Sequence, residues 1–176
     1  MDYIAVIPPS QINEQVLKWK EWVKAETGAV RALSSPGHIT LVPPFILPAE
    51  KETDLIQSLD KFASVQTSFS VQLEDFSHFQ KRTIYLKVTL GEELNRLREN
   101  LFDFLNEHSF PIPQKEDHFS PHITIAFRDL KRNGFTKAWN HFREINFEPK
   151  FDCDNISLLR HNKKSWDVIN RSVFGG

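Results

Sequence analysis

Apolar side chains recur along this chain with two periods, and the longer one predicts helices. Four segments have the three- and four-residue spacing of an amphipathic helix. Ser10 can cap the first helix, and Gly28 can end it. The apolar faces are Ile12, Val16, Trp19 and Val23; Leu55, Leu59 and Phe62; Leu94, Leu97, Leu101, Phe104 and Leu105; and Phe135, Trp139 and Phe142.

The shorter period, an alternation of apolar and polar residues, predicts half-buried antiparallel strands. It occurs at residues 69–73, at 84–88 and around 156–158, and residues 3–7 form an apolar run typical of a buried strand. Helical and strand segments follow one another without a linker. The pattern therefore predicts an α+β fold with helices on one face of the strands.

One short motif occurs twice, as SPGHITLVPPF at 35–45 and as SPHITIAF at 120–127. Its histidines lie 84 residues apart, close to half of the chain, which suggests two similar halves. In a strand, residues i and i+2 face the same way. His38 and Thr40 therefore share one face, and His122 and Thr124 do the same, while the isoleucines between them can enter the core. A cleft between the halves would give the polar side chains their environment.

Composition fits an ordinary globular protein with one core. The 176 residues are 40% hydrophobic, so we expect a single domain over residues 1–176. The formal charge of −1 gives no overall field toward nucleic acid or a membrane. Residues 128–176 carry ten Lys and Arg against six Asp and Glu. The basic clusters there, 128–132 and 160–164, are typical of solvated turns but can favour an anionic ligand.

The single cysteine, Cys153, allows neither an internal disulfide nor a thiolate metal cluster. A reducing compartment fits best. The apolar run near Met1 is short and lacks a basic segment before it, so we expect a cytoplasmic protein with no membrane association.

Two imidazoles and two hydroxyls suit the in-line displacement of a phosphodiester. That reaction needs a base on the attacking oxygen and an acid on the leaving oxygen, on opposite sides of phosphorus. Histidine titrates near neutrality, so His38 and His122 can divide these roles. Thr40 and Thr124 can donate hydrogen bonds to the phosphate oxygens as charge develops there. This chemistry requires neither a metal ion nor a cofactor.

The doubled His-Ile-Thr motif resembles the signature of the two-histidine phosphoesterase superfamily, which includes 2′-5′ RNA ligase-like proteins and cyclic nucleotide phosphodiesterases. The resemblance implies a bilobed, pseudo-two-fold α+β fold in which two antiparallel sheets line a central cleft, with helices outside. It also implies metal-independent activity on phosphodiesters. His38 and His122 would be the acid–base pair, and Thr40 and Thr124 would bind the phosphate. Gly37 departs from the second copy, which has no residue between Pro and His.

Several alternatives stay open. Either motif taken alone is typical of a polar pair on a strand surface, since Thr suits strands for steric reasons. A metal site could recruit His118, Glu116 and Asp117, although threonine is a weak ligand. A non-catalytic RNA- or nucleotide-binding module would keep the cleft without needing two titrating imidazoles. A purely structural interaction protein would leave the doubled motif unexplained.

Other residues could complete the site. Tyr85 and Lys87 lie on the strand face opposite Ile84 and Leu86 and could face the cleft. Bases stack on aromatic rings. The rings considered for stacking are Phe45, Phe127 and Trp166, and the cations considered for phosphate are Arg82, Lys87, Arg128 and Arg160.

The absence of a strongly basic composition favours a small nucleotide or an RNA end as the substrate. Opening of a 2′,3′-cyclic phosphate by water and attack on it by a 5′-hydroxyl, which would make a 2′-5′ linkage, need the same acid and base. An RNA end, a tRNA splicing product, an ADP-ribose cyclic phosphate or another diester would each fit. We expect a monomer that needs no protein partner.

Overall fold

The computed structural model describes all residues from 1 to 176 as four helices and eight strands. The strands are β1 (Asp2–Val6), β2 (Ile39–Phe45), β3 (Phe69–Phe79), β4 (Thr83–Val88), β5 (His122–Ala126), β6 (Lys150–Cys153), β7 (Asn155–His161) and β8 (Trp166–Val173). The helices are α1 (Ser10–Thr27), α2 (Glu52–Ser64), α3 (Glu92–Glu107) and α4 (Arg132–Phe142), with short 3₁₀ turns at Arg31–Ser34 and Ala49–Lys51. All four helices predicted from the apolar spacing are confirmed.

The strands form one curled antiparallel sheet in the order β6-β3-β4-β5-β2-β1-β7-β8. Two four-stranded halves meet at β5 and β2, where Ile39 and Ile123 form the one registered pair. The α+β class is confirmed, and the two predicted sheets prove to be continuous at this junction.

Two of the four helices, α1 and α3, cross from one half of the sheet to the other. Helix α1 follows β1 but packs on β5 and α4, in the other half of the sheet. Helix α3 follows β4 but contacts β2, while α2 packs on β7 and β8. A main core of 39 buried residues draws on both halves. Each half of the sheet is thus packed against a helix that follows a strand of the other half.

The ends of α1 differ in part from the prediction. Gly28 ends the helix as expected, with φ of 76° and its amide donating to the Lys24 carbonyl. The predicted Ser10 cap is wrong, because Ser10 is already the first helical residue and its side chain makes no capping bond. The Pro9 carbonyl accepts the amides of Ile12 and Asn13 instead.

No helix combines the length and apolar character needed to cross a membrane.

Candidate active site

The two histidines stand at the start of neighbouring central strands. His122 is the first residue of β5, and His38 directly precedes β2. Ile39 and Ile123 are fully buried, whereas both histidines are partly accessible. The predicted division of polar and apolar faces is therefore what the structure shows.

Both imidazoles are held by the same hydrogen bond. His38 Nδ1 lies 2.9 Å from the Pro36 carbonyl oxygen, and His122 Nδ1 lies 2.8 Å from that of Ser120. Because a carbonyl only accepts, each Nδ1 carries the proton and donates it. Each Nε2 is then free to accept or donate a proton. Since both bonds reach two residues back, the extra Gly37 does not change this geometry.

The threonines lie close to the junction of the two halves. Ile39 and Ile123 are antiparallel partners, and each is followed by the threonine of its motif. Extending this register by one residue in each direction would set Thr40 opposite His122 and Thr124 opposite His38. Both threonines are half-buried, like the histidines.

Burial lowers the pKa of both histidines. The pKa of His38 is lowered to about 4, mainly by burial; the Pro36 carbonyl opposes the shift, and the positive charges of Lys20 and protonated His122 add to it. Burial also lowers the pKa of His122, against the opposing effect of the Ser120 carbonyl. Both rings therefore favour the neutral form that can accept a proton at Nε2.

Helix α1 supports the loop that leads to His38. The Asn13 side-chain oxygen accepts the Gly37 amide at 2.6 Å, and the Lys20 ammonium donates to the Ser35 carbonyl at 2.9 Å. A Cβ on Gly37 would lie 2.8 Å from Asn13 Oδ1 and 3.1 Å from Val16 Cγ1. Position 37 thus requires glycine for space.

Helix α3 supports the loop before His122 in a similar way. The buried Arg98 guanidinium stacks on Phe102 and Phe119, at 5.0 and 4.7 Å, and lies near the Glu116 carbonyl at 3.4 Å. The buried cations Lys20 and Arg98 thus each contact a backbone carbonyl in the segment before a histidine, Lys20 before His38 and Arg98 before His122.

Aromatic rings flank each histidine. The ring of Tyr3 lies 4.8 Å from that of His38 and 4.6 Å from that of Trp166. In the other half, Tyr85 lies 5.1 Å from His122 and stacks on Phe79 at 4.2 Å. Tyr3 and Tyr85 are themselves buried, so Trp166 and Phe79 are the rings beside the two histidines that a base can reach.

Lys87 is the cross-strand partner of His122, but its ammonium is already occupied. It binds the Glu74 carboxylate at 2.5 Å, and the same carboxylate accepts a hydrogen bond from Thr89. These bonds lower the pKa of Glu74 and raise that of Lys87. The Lys87 ammonium thus lies on the strand next to His122 but is bound by the Glu74 carboxylate.

Three residues considered from the sequence do not join the centre. Phe45 is 5% exposed and belongs to the main core, so a stacking role does not fit this position. Phe127 follows β5 and packs under the Arg128 guanidinium at 5.4 Å. Arg160 is bound to Asp2 at 2.6 Å and to Glu52 at 2.5 Å, so its charge is used within the fold.

The sequence also contained a pattern that indicates the supporting roles of Lys20 and Arg98. Lys20 lies four residues after Val16, and Arg98 lies four after Leu94, each on the apolar face of its helix. A cation on such a stripe indicates a specific buried partner. The contacts of Tyr3 and Phe79 with the histidines had no comparable signal.

A cavity of about 770 Å³ opens beside the His38 loop. Its walls include Pro36, Gly37, Trp166, Val168 and Arg171. The size falls within the range of small-molecule sites. No group of three or more His, Cys, Asp or Glu side chains is placed to hold a metal ion.

Comparison with known proteins gives a consistent picture. Residues 8–165 match the family model described as the 2′-5′ RNA ligase superfamily. The chain is 27% identical over 176 residues to "Putative phosphoesterase OB1230" of Oceanobacillus iheyensis, covering 98% of this chain and 96% of that protein. Its fold resembles TT0787 of Thermus thermophilus, with a TM-score of 0.72, 19% identity and coverage of 99% and 98% of the two chains. It also resembles LigT of E. coli solved with 3′-AMP, with a TM-score of 0.66 and the same identity and coverage.

Proposed function

The chain belongs to the 2′-5′ RNA ligase superfamily, and we propose that it is a phosphoesterase that opens 2′,3′-cyclic phosphates of nucleotides or RNA ends without a metal ion. This proposal is supported chiefly by one observation, that the two imidazoles make the same hydrogen bond. His38 and His122 each donate from Nδ1 to a backbone carbonyl and leave Nε2 free on one face of the sheet.

In the proposed reaction, the oxygen of a water molecule attacks phosphorus while one Nε2 removes its proton. The bond from phosphorus to one ribose oxygen breaks, and the other imidazole, protonated beforehand, donates its proton to that oxygen. One water is consumed, and the product is a phosphomonoester beside a free hydroxyl. Reversal exchanges the roles of His38 and His122, so the same site is suited to both directions.

Thr40 and Thr124 would stabilise the charge that develops on the non-bridging oxygens. Their hydroxyls come from opposite halves of the sheet, so they can approach the phosphate from two sides. A bound phosphate would also raise the pKa of both imidazoles, which helps to keep one of them protonated.

A nucleotide substrate is supported by the aromatic borders of the site and by the family relationship. Trp166 and Phe79, which are partly accessible and pack on the buried rings of Tyr3 and Tyr85, provide stacking surfaces near the two histidines. The related fold of LigT was solved with 3′-AMP. We further propose that the chain works as a cytoplasmic monomer, with residues 1–176 acting as one unit.

The test is hydrolysis of 2′,3′-cyclic AMP in the presence of EDTA. We expect turnover by the wild type and a loss of at least about a hundredfold in His38→Ala and in His122→Ala, since acid–base groups contribute about 10²–10⁴-fold. His118→Ala is the matched control, because His118 is exposed and lies outside the site. Full activity of either site variant would contradict the proposed pair.

Ligation and a non-catalytic role are separated by two further measurements. A 5′-hydroxyl oligonucleotide added with a cyclic-phosphate RNA would yield a 2′-5′ linkage if its hydroxyl replaces water as the nucleophile and the bond from phosphorus to the 3′-oxygen breaks. Binding of 3′-AMP by calorimetry, with no turnover of cyclic AMP or cyclic-phosphate RNA, would favour the binding module over the enzyme.

A further inference from the structure

Five cationic side chains line a second cavity, of about 730 Å³, at the turn between β3 and β4 and the loop after β5. None of them belongs to any ion pair of the chain. We call this set the basic cluster. It consists of Lys81, Arg82, Arg128, Lys131 and Arg132.

The one carboxylate in this cavity, Asp129, does not balance these charges. Its Oδ2 accepts the backbone amides of Val30 and Arg31, at 2.7 and 3.0 Å, and so fastens a loop of the other half. Its Oδ1 is buried without a hydrogen-bond partner. The cluster therefore presents uncompensated positive charge around an open space.

The start of α4 adds to the same positive potential. Arg132 is the first residue of this eleven-residue helix, which has no side-chain cap and no acidic residue in its first turn. Backbone amides at a helix start are unpaired donors and attract anions. The ring of Phe127 under Arg128 supports that guanidinium from below.

The basic cluster continues from the proposed active site. Phe79, whose ring lies 5.2 Å from that of His122, immediately precedes the turn that carries Lys81 and Arg82. β5 begins at His122 and ends at Ala126, a length of about 13 Å, and Arg128 lies two residues beyond that end. The cluster is therefore separated from His122 by the length of the strand. A ligand held at His122 with a base over Phe79 would reach the cluster only if it extends over more than one nucleotide.

We propose that the basic cluster is a second phosphate subsite, which binds an internucleotide phosphate of an oligonucleotide whose cyclic-phosphate end occupies the histidine pair. This inference rests on the proposed function, which supplies the identity of the cyclic-phosphate end group. It goes beyond the proposed function by assigning an oligonucleotide, and not a single nucleotide, as the substrate. A balanced overall charge is compatible with this, because the recognition is local.

The test compares binding of two probes in the His122→Ala background, where turnover is removed. The probes are cyclic AMP with a 2′,3′ linkage and a trinucleotide ending in a 2′,3′-cyclic phosphate. Into this background we would introduce Lys81→Gln, Arg82→Gln and Arg128→Gln together. The control carries Lys18→Gln, Lys24→Gln and Lys61→Gln, which remove three exposed, unpaired charges on α1 and α2.

We expect the cluster variant to bind the trinucleotide about tenfold more weakly and the cyclic mononucleotide unchanged, because only the former spans both subsites. The slope of log affinity against log salt should fall by about 0.7 for each phosphate that the variant no longer binds. The control should retain wild-type affinity for both probes.

Equal weakening of both probes, or none, would overturn the proposal. A 5′-phosphorylated cyclic mononucleotide is the third probe; if it shows the same loss of affinity as the trinucleotide, a terminal phosphate is bound and the chain assignment is wrong. Binding that depends on the cluster while wild-type protein turns over neither substrate would refute the hydrolytic function and still support the subsite.

Discussion

Ile39 and Ile123 are cross-strand partners, and through this pair the two halves of the sheet are joined. Extended by one residue in each direction, this register would set Thr40 opposite His122 and Thr124 opposite His38. The two motifs are then related by symmetry, so we expect the two threonines to be equivalent in the proposed reaction.

We accordingly predict that Thr40→Val and Thr124→Val each lower kcat for cyclic-phosphate hydrolysis by about a hundredfold, the effect of losing one donor to a developing oxyanion. Thr40→Ser and Thr124→Ser keep the hydroxyl and should retain most of the activity. The measurement is kcat of the four variants in steady-state kinetics, compared with kcat of the wild type. Equal activity in the valine and serine variants would show that shape alone matters there.

Gly37→Ala should both destabilise the fold and lower kcat. The added carbon would meet Asn13 Oδ1 at 2.8 Å and Val16 Cγ1 at 3.1 Å, so the loop before His38 must shift. Overpacking of this kind costs about 1–3 kcal/mol of unfolding free energy. Urea unfolding and kinetics measure the two effects. Asn13→Ala, which deletes the hydrogen bond without adding an atom, should lower kcat with a smaller loss of stability; wild-type behaviour of Gly37→Ala would refute the account.

Lys20→Met should lower activity while raising stability at pH 7. Burial lowers the pKa of Lys20 to about 8, so the unfolded chain binds more protons between pH 8 and the ordinary value of 10.5. The unfolding free energy thus rises with pH across that window, and the penalty of the buried charge is fully present below it. Removing the charge should stabilise the fold by roughly 1–3 kcal/mol. Removal of the hydrogen bond to Ser35 should loosen the His38 loop and lower kcat.

Denaturant unfolding at pH 7 and 10, with kcat at pH 7, checks the Lys20 prediction. The stabilisation should be smaller at pH 10, where Lys20 of the wild-type fold is already neutral. A variant with unchanged kcat would show that Lys20 does not position the loop.

The pH profile of kcat/KM should be bell-shaped with its maximum below pH 6.5. The reaction needs one imidazole neutral and the other protonated. In the free protein burial brings the pKa of His38 to about 4 and lowers that of His122 below its usual 6.5. The required mixed state is most populated between the two pKa values, and kcat/KM reports the free enzyme. Initial rates from pH 4 to 9 test this, and a maximum above pH 7.5 would contradict it.

Glu74→Gln should lower KM for an anionic substrate by about two- to fivefold. The change replaces the ion pair of Lys87 with a neutral partner and so frees the ammonium to bind a substrate anion. Lys87 is the cross-strand partner of His122. Because this ion pair is exposed and screened by solvent, we expect the effect to be small. Kinetics at low and high salt should show the gain in affinity mainly at low salt. Lys87→Met with Glu74→Gln should abolish this gain, whereas an unchanged KM in Glu74→Gln would leave Lys87 without a role in binding.

Local rules made much of the fold predictable. Helical spacing located the four helices, because a buried stripe must repeat with the turn of the helix. The period of two placed His38 with Thr40 and His122 with Thr124, since neighbouring strand residues must face opposite ways. The rule fails farther along β2, where irregular pairing with β1 brings both Val42 and Phe45 into the core, so alternation did not predict the burial of Phe45.

The sequence by itself thus determined the elements and the two facing His-x-Thr pairs. Tertiary structure alone decided that the pairs meet across Ile39 and Ile123, that carbonyls of Pro36 and Ser120 fix both imidazoles, and that Phe79 leads from His122 to a basic cavity. The physical reason is range. A side chain's face is set by its immediate neighbours in the chain, whereas its partners come from strands and loops that only packing brings together.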